Sequence, residues 1–141
     1  MIEPIELEDL VCMFLTVFNG PPWNDEWERS KAEQYLSSFI ANPSFLGFSA
    51  HQDERLIGAC FGEKRYWWEG DEYFINEIFI DKSVQKRGFG SKFIYEIQKE
   101  LLQKGIRAIT LLTDRDSLSD KFYIKNGFQN KDILTFKFKN F

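Results

Sequence analysis

IFIDKSVQKRGFGSKF, residues 78–93, is the stretch of the sequence that decides the fold. It begins as an apolar run typical of a strand, passes through a basic loop, and ends in residues with helical spacing. Gly88 and Gly90 stand one residue apart in that loop, directly after Lys86 and Arg87. The first N–H groups of a helix have no partner within the helix, and the helix dipole is positive there, so such a loop favours an anion. We therefore predict a phosphate or pyrophosphate site at this loop.

The residues after the loop predict a βαβ unit. Apolar residues repeat at helical spacing from Phe89 to Leu102, and Gly105 is a typical helix end. Residues 107–113 (RAITLLT) are apolar on both faces, as expected of a buried strand with parallel pairing. With the strand pattern at 73–80 they form a right-handed βαβ unit. A short helix pattern and a strand pattern end the chain, at about residues 117–125 and at 133–138.

The residues before the loop predict two helices followed by three strands. Helical spacing covers residues 7–18 and about 26–40. Strand-forming runs at 45–50, 56–66 and 73–80 are separated by turn sequences and predict an antiparallel meander. The predicted class is α+β: one domain over residues 1–141, with a mixed, mostly antiparallel sheet flanked by helices and a central βαβ unit.

Size and composition exclude several classes of protein. The chain has 141 residues, 43% of them hydrophobic, which suits one domain with its own core. A net charge of −4 argues against a general nucleic-acid binder. No apolar run approaches the roughly twenty residues of a membrane span, and acidic residues interrupt the first apolar residues where a signal peptide would lie. A cytoplasmic protein is therefore expected.

The cysteines and the histidine predict no metal site. Cys12 and Cys60 lack CxxC spacing and are expected to be reduced, buried thiols. His51 is expected at the surface, at a strand end beside a turn. With one histidine and no cysteine cluster, a catalytic metal is not expected.

The charges change sign at the loop. Every charged residue from 69 to 81 is acidic, and every charged residue from 82 to 92 is basic. The two runs are either solvated surface or the two sides of a binding site. Two familiar phosphate loops are excluded, because the Walker sequence is absent and Phe93 stands where the dinucleotide fingerprint needs a small residue.

Two motifs resemble the GNAT superfamily, whose members transfer acyl groups from acyl-coenzyme A to amines. QKRGFG, residues 85–90, is similar to the family's (Gln/Arg)-x-x-Gly-x-(Gly/Ala) loop, and KFYIKNGF, residues 121–128, is similar to its Phe-Tyr-x-x-x-Gly-Phe signature. The resemblance covers about residues 73–128. It implies that the diphosphate of acetyl-CoA binds at the loop and that the pantetheine arm lies along the preceding strand.

The residues that the resemblance places at the coenzyme come from the strand, the loop and the Phe-Tyr signature. They are Ile78, Phe79, Ile80, Gln85, Lys86, Arg87, Gly88, Phe89, Gly90, Ser91, Asp116, Ser119 and Phe122. Asp116 and Ser119 depart from the family, in which an asparagine and an alanine are common. Asp116 could accept a hydrogen bond from the coenzyme arm but cannot donate one as an amide does.

Glu77 and Tyr123 are the predicted catalytic residues. An attacking amine must be neutral and the departing thiolate must be protonated, since their pKa values are about 10.4 and 8.5. Glu77 stands in an apolar strand, on the face of Ile75 and Phe79. It is interpreted as a base or as an anchor for a cationic amine; the alternative is a solvated strand face or a structural ion pair. Tyr123 matches the family tyrosine that protonates the thiolate; the alternative is a core aromatic beside Phe122.

The predicted acceptor is a small cationic primary amine. Trp23, Trp27, Trp68 and Glu77 are the candidate substrate-binding residues, because tryptophan faces beside carboxylates suit a cation; core packing or a dimer contact would also explain the tryptophans. The resemblance implies direct attack in a ternary complex, and a homodimer is possible. The alternatives are a non-catalytic acyl-CoA-binding or sensor domain, and an acetyltransferase that acts on a protein N-terminus or lysine.

Overall fold

The computed structural model describes residues 1–3 and 6–141. It contains two compact units, residues 1–111 and residues 112–141, and each is described by itself. The helices of the first unit are α1 (Leu7–Phe18), α2 (Arg29–Ile40) and α3 (Phe89–Gln103), and the helix of the second is α4 (Leu118–Lys125). Among the described residues, no helix combines the length and the apolar character that crossing a membrane requires.

A four-stranded sheet organises the first unit. Its strands are β1 (Phe45–Gln52), β2 (Arg55–Arg65), β3 (Glu72–Ile80) and β4 (Ala108–Thr110), in the spatial order β1-β2-β3-β4. The first three pair antiparallel, and β3 pairs with β4 in parallel. The predicted α+β class, the mixed sheet and the β3–α3–β4 unit are therefore confirmed.

Aromatic residues fill the core between the sheet and the helices α1 and α2. Phe61 on β2 is fully buried and stacks on Phe79 of β3, with ring centroids 6.0 Å apart and planes inclined by 13°. Phe14 of α1 meets Phe79 edge-on at 5.5 Å. Tyr35 and Phe39 of α2 pack against the same cluster. Six of the fifteen phenylalanines thus belong to one helix–sheet interface: Phe14, Phe18, Phe39, Phe45, Phe61 and Phe79.

A β-bulge separates the two halves of β3. The pairing of β2 with β3 shifts in register between Phe61 and Gly62, so that Phe61 lies opposite Glu77 and Gly62 opposite Ile75. An extra residue reverses the alternation of side chains along a strand. Glu77 therefore lies on the same face as Phe79, towards α1 and α2, as its contact with Tyr35 shows. The prediction that it also shares this face with Ile75 is wrong, because simple alternation does not survive the bulge.

Four further expectations are corrected. Helix α2 begins at Arg29 rather than at residue 26, because Glu28 is its extended N-cap. Strand β4 is three residues long and partly exposed, not a buried strand over 107–113. Residues 133–138 form no strand in the described chain, although their sequence alternates, because no neighbouring strand pairs with them there. Cys12 is exposed, whereas Cys60 is buried as predicted, and burial raises the pKa of the Cys60 thiol to about 12.

We expect Phe61→Ala to destabilise the protein by about 3–5 kcal/mol, because it leaves a cavity beneath the aromatic cluster. The free energy of unfolding in urea measures this loss. Leu102→Ala, at an exposed position of α3, is the control and should change stability by less than about 1 kcal/mol. Equal losses in the two variants would contradict the assignment of Phe61 to the core.

Candidate functional site

The turn that leads into α3 leaves a row of backbone N–H groups without acceptors. Val84 and Gln85 each donate to the carbonyl three residues back, and Lys92 donates to the carbonyl of Gly88. Between them, no amide from residue 86 to residue 91 donates a hydrogen bond of good geometry to any described atom. Unsatisfied amides at a helix N-terminus carry partial positive charge and bind anions. The backbone of this loop is therefore suited to an anion, and the anion site stays a prediction.

The backbone conformation of this loop depends on Gly88. Gly88 is the N-cap of α3, with φ of 73°, and a Cβ built on it would meet no atom within 4 Å. Lys86 also has a positive φ, of 63°. Left-handed residues between successive amides are typical of anion-binding concavities. The space in front of Gly88 is open, so an oxyanion could approach the main chain there.

The loop and the residues on either side of it in the chain carry four basic side chains. Lys82, Lys86, Arg87 and Lys92 are all exposed, and none of them forms an ion pair with the described residues. Their charges are therefore available to an anion from solution. In a protein of net charge −4 this local excess is the stronger indication of a phosphate ligand.

Two side chains fix the turn from β3 to the loop. Asp81 accepts hydrogen bonds from the amide of Ser83 at 2.9 Å and from Arg55 at 2.8 Å. Gln85 donates from Nε2 to the carbonyl of Ile80 at 2.8 Å. Asp81 and Gln85 thus shape the loop, and the side-chain amide of Gln85 is engaged with the backbone. Sequence reasoning placed Gln85 at the coenzyme; that role stays a prediction.

The edge of β3 is open beside the loop. Strand β4 pairs with β3 only at Glu72, Tyr73 and Phe74, so in the first unit residues 75–80 have a neighbouring strand on the β2 side alone. This open edge includes Ile78 and Ile80, whose backbones the sequence resemblance places along the pantetheine arm. An extended ligand can add to such an edge as a strand does. Phe79 itself is buried in the core, so only its backbone is suited to a ligand contact.

Glu77 lies half-buried and hydrogen-bonded at the centre of the aromatic face. The Tyr35 hydroxyl donates to Oε1 of Glu77 at 2.6 Å. Burial raises the pKa of Glu77, the Tyr35 hydrogen bond lowers it, and the charge of Asp25 raises it further. Because burial dominates, the pKa of this carboxyl lies above its ordinary value. No described cation pairs with Glu77, so the structural ion pair considered in the sequence analysis is absent from this part of the chain.

Trp27 and Asp25 join Glu77 through Tyr35. The ring of Trp27 stacks on Tyr35 with centroids 5.0 Å apart, and Trp27 Nε1 donates to Asp25 at 3.2 Å. Trp27 also lines an open pocket of about 810 Å³, which is formed by residues from the segment 25–37. Four carboxylates and one lysine line it: Asp25, Glu26, Glu28, Glu33 and Lys31. A cation is the ligand that such a surface attracts.

The other two candidate tryptophans are not part of this arrangement. Trp23 is exposed and packs edge-on against Phe18 at 5.1 Å. Trp68 is 81% exposed in the turn between β2 and β3 and makes no ring contact with the described residues. The structure brings Trp27 and Glu77 into one network, and the substrate-binding roles of Trp23 and Trp68 stay predictions.

The Phe-Tyr signature lies in the second unit. Tyr123 on α4 is half-buried, with Phe122 and Phe128 edge-on to its ring, each at 5.3 Å. Its carbonyl accepts from the amides of Asn126 and Phe128, which closes the end of the helix. The motif residues Phe122, Tyr123 and Phe128 therefore form one packed aromatic group.

Asp116 and Ser119 lie at the start of α4. Ser117 caps the helix by accepting from the amide of Asp120, and Asp120 in turn accepts from the amide of Asp116 at 2.8 Å. Asp116 is exposed and has a left-handed backbone, with φ of 63°. Its carboxylate pairs with no described cation, so the side chain is available to a ligand.

Sequence reasoning missed Tyr35 and Asp25. Tyr35 lies within the helical spacing of residues 26–40, which accounts for its ring but leaves its hydroxyl unexplained. A tyrosine on the inward face of a helix and an acid in an apolar strand each require a hydrogen-bond partner. That shared requirement could have predicted the contact between Tyr35 and Glu77.

Comparison with known proteins decides the family. A family model described as "Acetyltransferase (GNAT) family" matches residues 7–128. The chain belongs to the GNAT family. It is therefore an N-acetyltransferase, as its two motifs predicted.

Solved structures of acetyltransferases share the fold. A possible acetyltransferase from Clostridium difficile 630 is 8% identical with a TM-score of 0.83, over 99% of this chain and 95% of that one. The aminoglycoside N-acetyltransferase AAC(6')-Iy in complex with CoA is 20% identical with a TM-score of 0.73, over 98% and 91%. An aminoglycoside acetyltransferase from an uncultured soil metagenomic sample, in complex with sisomicin, is 16% identical with a TM-score of 0.72, over 99% and 93%. At these identities the likeness concerns the fold.

The raised pKa of Glu77 should make stability depend on pH. The folded protein keeps this proton to a higher pH than the unfolded chain, whose glutamate pKa is about 4.3. The stability that the protonated Glu77 carboxyl contributes is therefore lost as pH rises from about 4.3 through the pKa of Glu77 in the folded protein. We expect Glu77→Gln, which stays neutral, to gain stability relative to the parent between pH 4 and pH 7, as measured by urea unfolding. Glu100→Gln, on the exposed face of α3, controls for the removal of one charge; a parallel gain there would contradict the assignment.

Proposed function

We propose that this GNAT protein transfers the acetyl group of acetyl-CoA to a primary amine of a small cationic molecule, by direct attack in a ternary complex. The observation that carries the proposal is the row of amides from 86 to 91 without acceptors, at the start of α3 in a chain of this family. The open edge of β3 supports binding of the coenzyme arm, and the network around Glu77 supports binding of the amine.

The loop residues would hold the coenzyme. Amides 86–91 and the charges of Lys86 and Arg87 are suited to the diphosphate, and the open space at Gly88 fits an oxygen close to the backbone. Backbone groups of Ile78 and Ile80 on the open edge would hold the extended arm. Asp116 can accept a hydrogen bond from that arm. Bound in this way, acetyl-CoA supplies the acetyl thioester.

Glu77 and the pocket of residues 25–37 would receive the amine. The pocket has an excess of carboxylates, and Trp27 connects it to Tyr35 and so to Glu77. A carboxyl whose pKa is raised by burial can accept a proton from an ammonium group more readily than an exposed one. We assign to Glu77 the binding and deprotonation of the amine. The phenolic oxygen of Tyr123 would hold the proton that the departing sulfur needs.

The cationic, multi-amine character of the acceptor is supported by charge. Four carboxylates against one lysine line the pocket, more than a single ammonium requires. Two structural neighbours are aminoglycoside acetyltransferases, one of them in complex with sisomicin. We propose polyamines and amino sugars as the first acceptors to test. A single domain over residues 1–141 and a homodimer remain part of this proposal.

Gly88→Val should weaken coenzyme A binding at least about tenfold, because the branched side chain fills the space in front of the amides. Isothermal titration calorimetry with coenzyme A measures the change. Gly105→Val is a matched control: it lies at the other end of α3, has φ of 77°, and also faces open space. Both variants carry the same left-handed strain, so both should lose stability. Equal coenzyme affinity in the two variants would remove the loop from the proposed site.

Tyr123→Phe should slow acetyl transfer by about 10²-fold or more, the usual contribution of a general acid. Release of free thiol from acetyl-CoA, with a panel of polyamines, amino sugars and peptides, measures the rate. Tyr95→Phe, on the exposed face of α3, should be as active as the parent. An equally active Tyr123→Phe would exclude the assigned acid, and coenzyme binding without turnover on any amine would favour a non-catalytic sensor.

A further inference from the structure

We propose that Tyr35 is a positioning residue for the transfer reaction: its hydroxyl fixes the Glu77 carboxylate in the orientation in which it receives the amine. This inference rests on the proposed function of Glu77. It adds a residue on α2, outside both sequence motifs and absent from the predicted site.

The contact between the two side chains is short and direct. The hydroxyl of Tyr35 donates to Oε1 of Glu77 at 2.6 Å, within the range of strong O–H···O⁻ bonds. It joins α2 to β3 across 42 positions of sequence. A carboxylate bonded at one oxygen loses rotational freedom and keeps its other oxygen for a ligand. Glu77 is therefore held by a group that does not neutralise its charge.

The Tyr35 ring is itself immobilised by three aromatic neighbours. Trp27 stacks on it at 5.0 Å, Phe39 meets it edge-on at 4.8 Å, and Phe14 packs at 5.8 Å. A phenol packed in this way directs its hydroxyl towards one position. The phenol also stays protonated, since burial and then Glu77 raise the pKa of Tyr35. Because an ionised carboxylate can only accept, this protonated phenol is the donor in its bond to the charged form of Glu77.

Asn19, at the end of α1, holds the tryptophan that stacks on Tyr35. Its side chain accepts from the backbone amide of Trp27 at 2.8 Å and donates to the carbonyl of the same residue at 3.0 Å. Trp27 is thus held at its backbone by Asn19, at its indole by Asp25 and at its face by Tyr35. The tryptophan that lines the acidic pocket and the tyrosine that holds Glu77 are ordered together. A ligand bound at Trp27 would therefore lie at a fixed position relative to Glu77.

Two ionisable groups from the segments that pack against β3 influence Glu77. They are Tyr35 from α2 and Asp25 from the segment between α1 and α2. The hydrogen bond from Tyr35 stabilises the charged form of Glu77, whereas Asp25 opposes it. Removal of the hydroxyl should therefore raise the pKa of Glu77. Since a hydrogen bond to a charged group is typically equivalent to one pKa unit or more, we expect a rise of about one unit.

The test compares Tyr35→Phe with the parent in two measurements. In the free protein, the pKa of Glu77 is read from its ¹³C carboxyl resonance, which Glu77→Gln identifies; we expect it to rise by about one unit. In turnover, we expect the acid limb of kcat/KM for the amine to move by the same amount to higher pH. We expect kcat/KM at neutral pH to fall about tenfold, and the Kd of coenzyme A to stay unchanged. Tyr95→Phe, an exposed tyrosine of α3, should change none of these values.

The outcomes separate this inference from the proposed function. If Tyr35→Phe leaves the pKa of Glu77 unchanged, the role of Tyr35 is overturned. The same follows if Tyr35→Phe leaves the acid limb of kcat/KM unchanged while Glu77→Gln is defective, and the proposed role of Glu77 then stands. A fully active Glu77→Gln would overturn the proposed role of Glu77 and the inference with it. Urea unfolding checks that Tyr35→Phe is folded. A second measurement needs no variant: in the parent protein the ring resonance of Tyr35 should titrate together with Glu77, and independent titration would overturn the contact.

Discussion

The bulge in β3 is the constraint on which the candidate site depends. One extra residue between Ile75 and Glu77 ends the alternation that would place those two on one face, so Glu77 and Phe79 face α2 together while Ile75 does not. Without the extra residue, Glu77 and Phe79 would lie on the same face as Ile75 by simple alternation. The same strand loses its pairing with β4 after Phe74, so within the first unit no strand pairs with that edge over the segment that leads to the loop. A single irregular strand thus presents an acid on one face and free backbone at one edge.

The two halves of the site use different kinds of interaction. Around Gly88 the ligand-binding groups are backbone amides, whose positions are set by the left-handed turn and by the hydrogen bonds of Asp81 and Gln85. Around Glu77 they are side chains, whose positions are set by aromatic packing. Backbone amides suit a constant ligand such as a diphosphate, because no side chain is needed for recognition. Side chains on α2 and in the preceding segment can vary with the acceptor.

Burial raises the pKa of both Glu77 and Asp81, and the partners of each carboxylate decide the net direction. Asp81 accepts hydrogen bonds from Ser83 and Arg55, which hold a turn and bring its pKa below the ordinary value. Glu77 has a neutral donor and no described cation as a partner, so burial raises its pKa instead of being offset by an ion pair. A protein keeps such a group where its proton is used, since its desolvation otherwise lowers stability. This physical asymmetry distinguishes Glu77 from the other acids between residues 69 and 81.

The sequence by itself determined the order of helices and strands in the first unit and the family, and it predicted an anion loop at residues 85–91. These depend on local periodicity and on two glycines one residue apart in the chain, which a sequence displays directly. It did not determine the bulge, the extent of β4, the absence of a strand at 133–138 in the described chain, or the pairing of Tyr35 with Glu77. Strand pairing and a contact across 42 positions depend on which distant segments meet. Only the tertiary structure decided those, because the energy of each depends on a partner that local sequence does not specify.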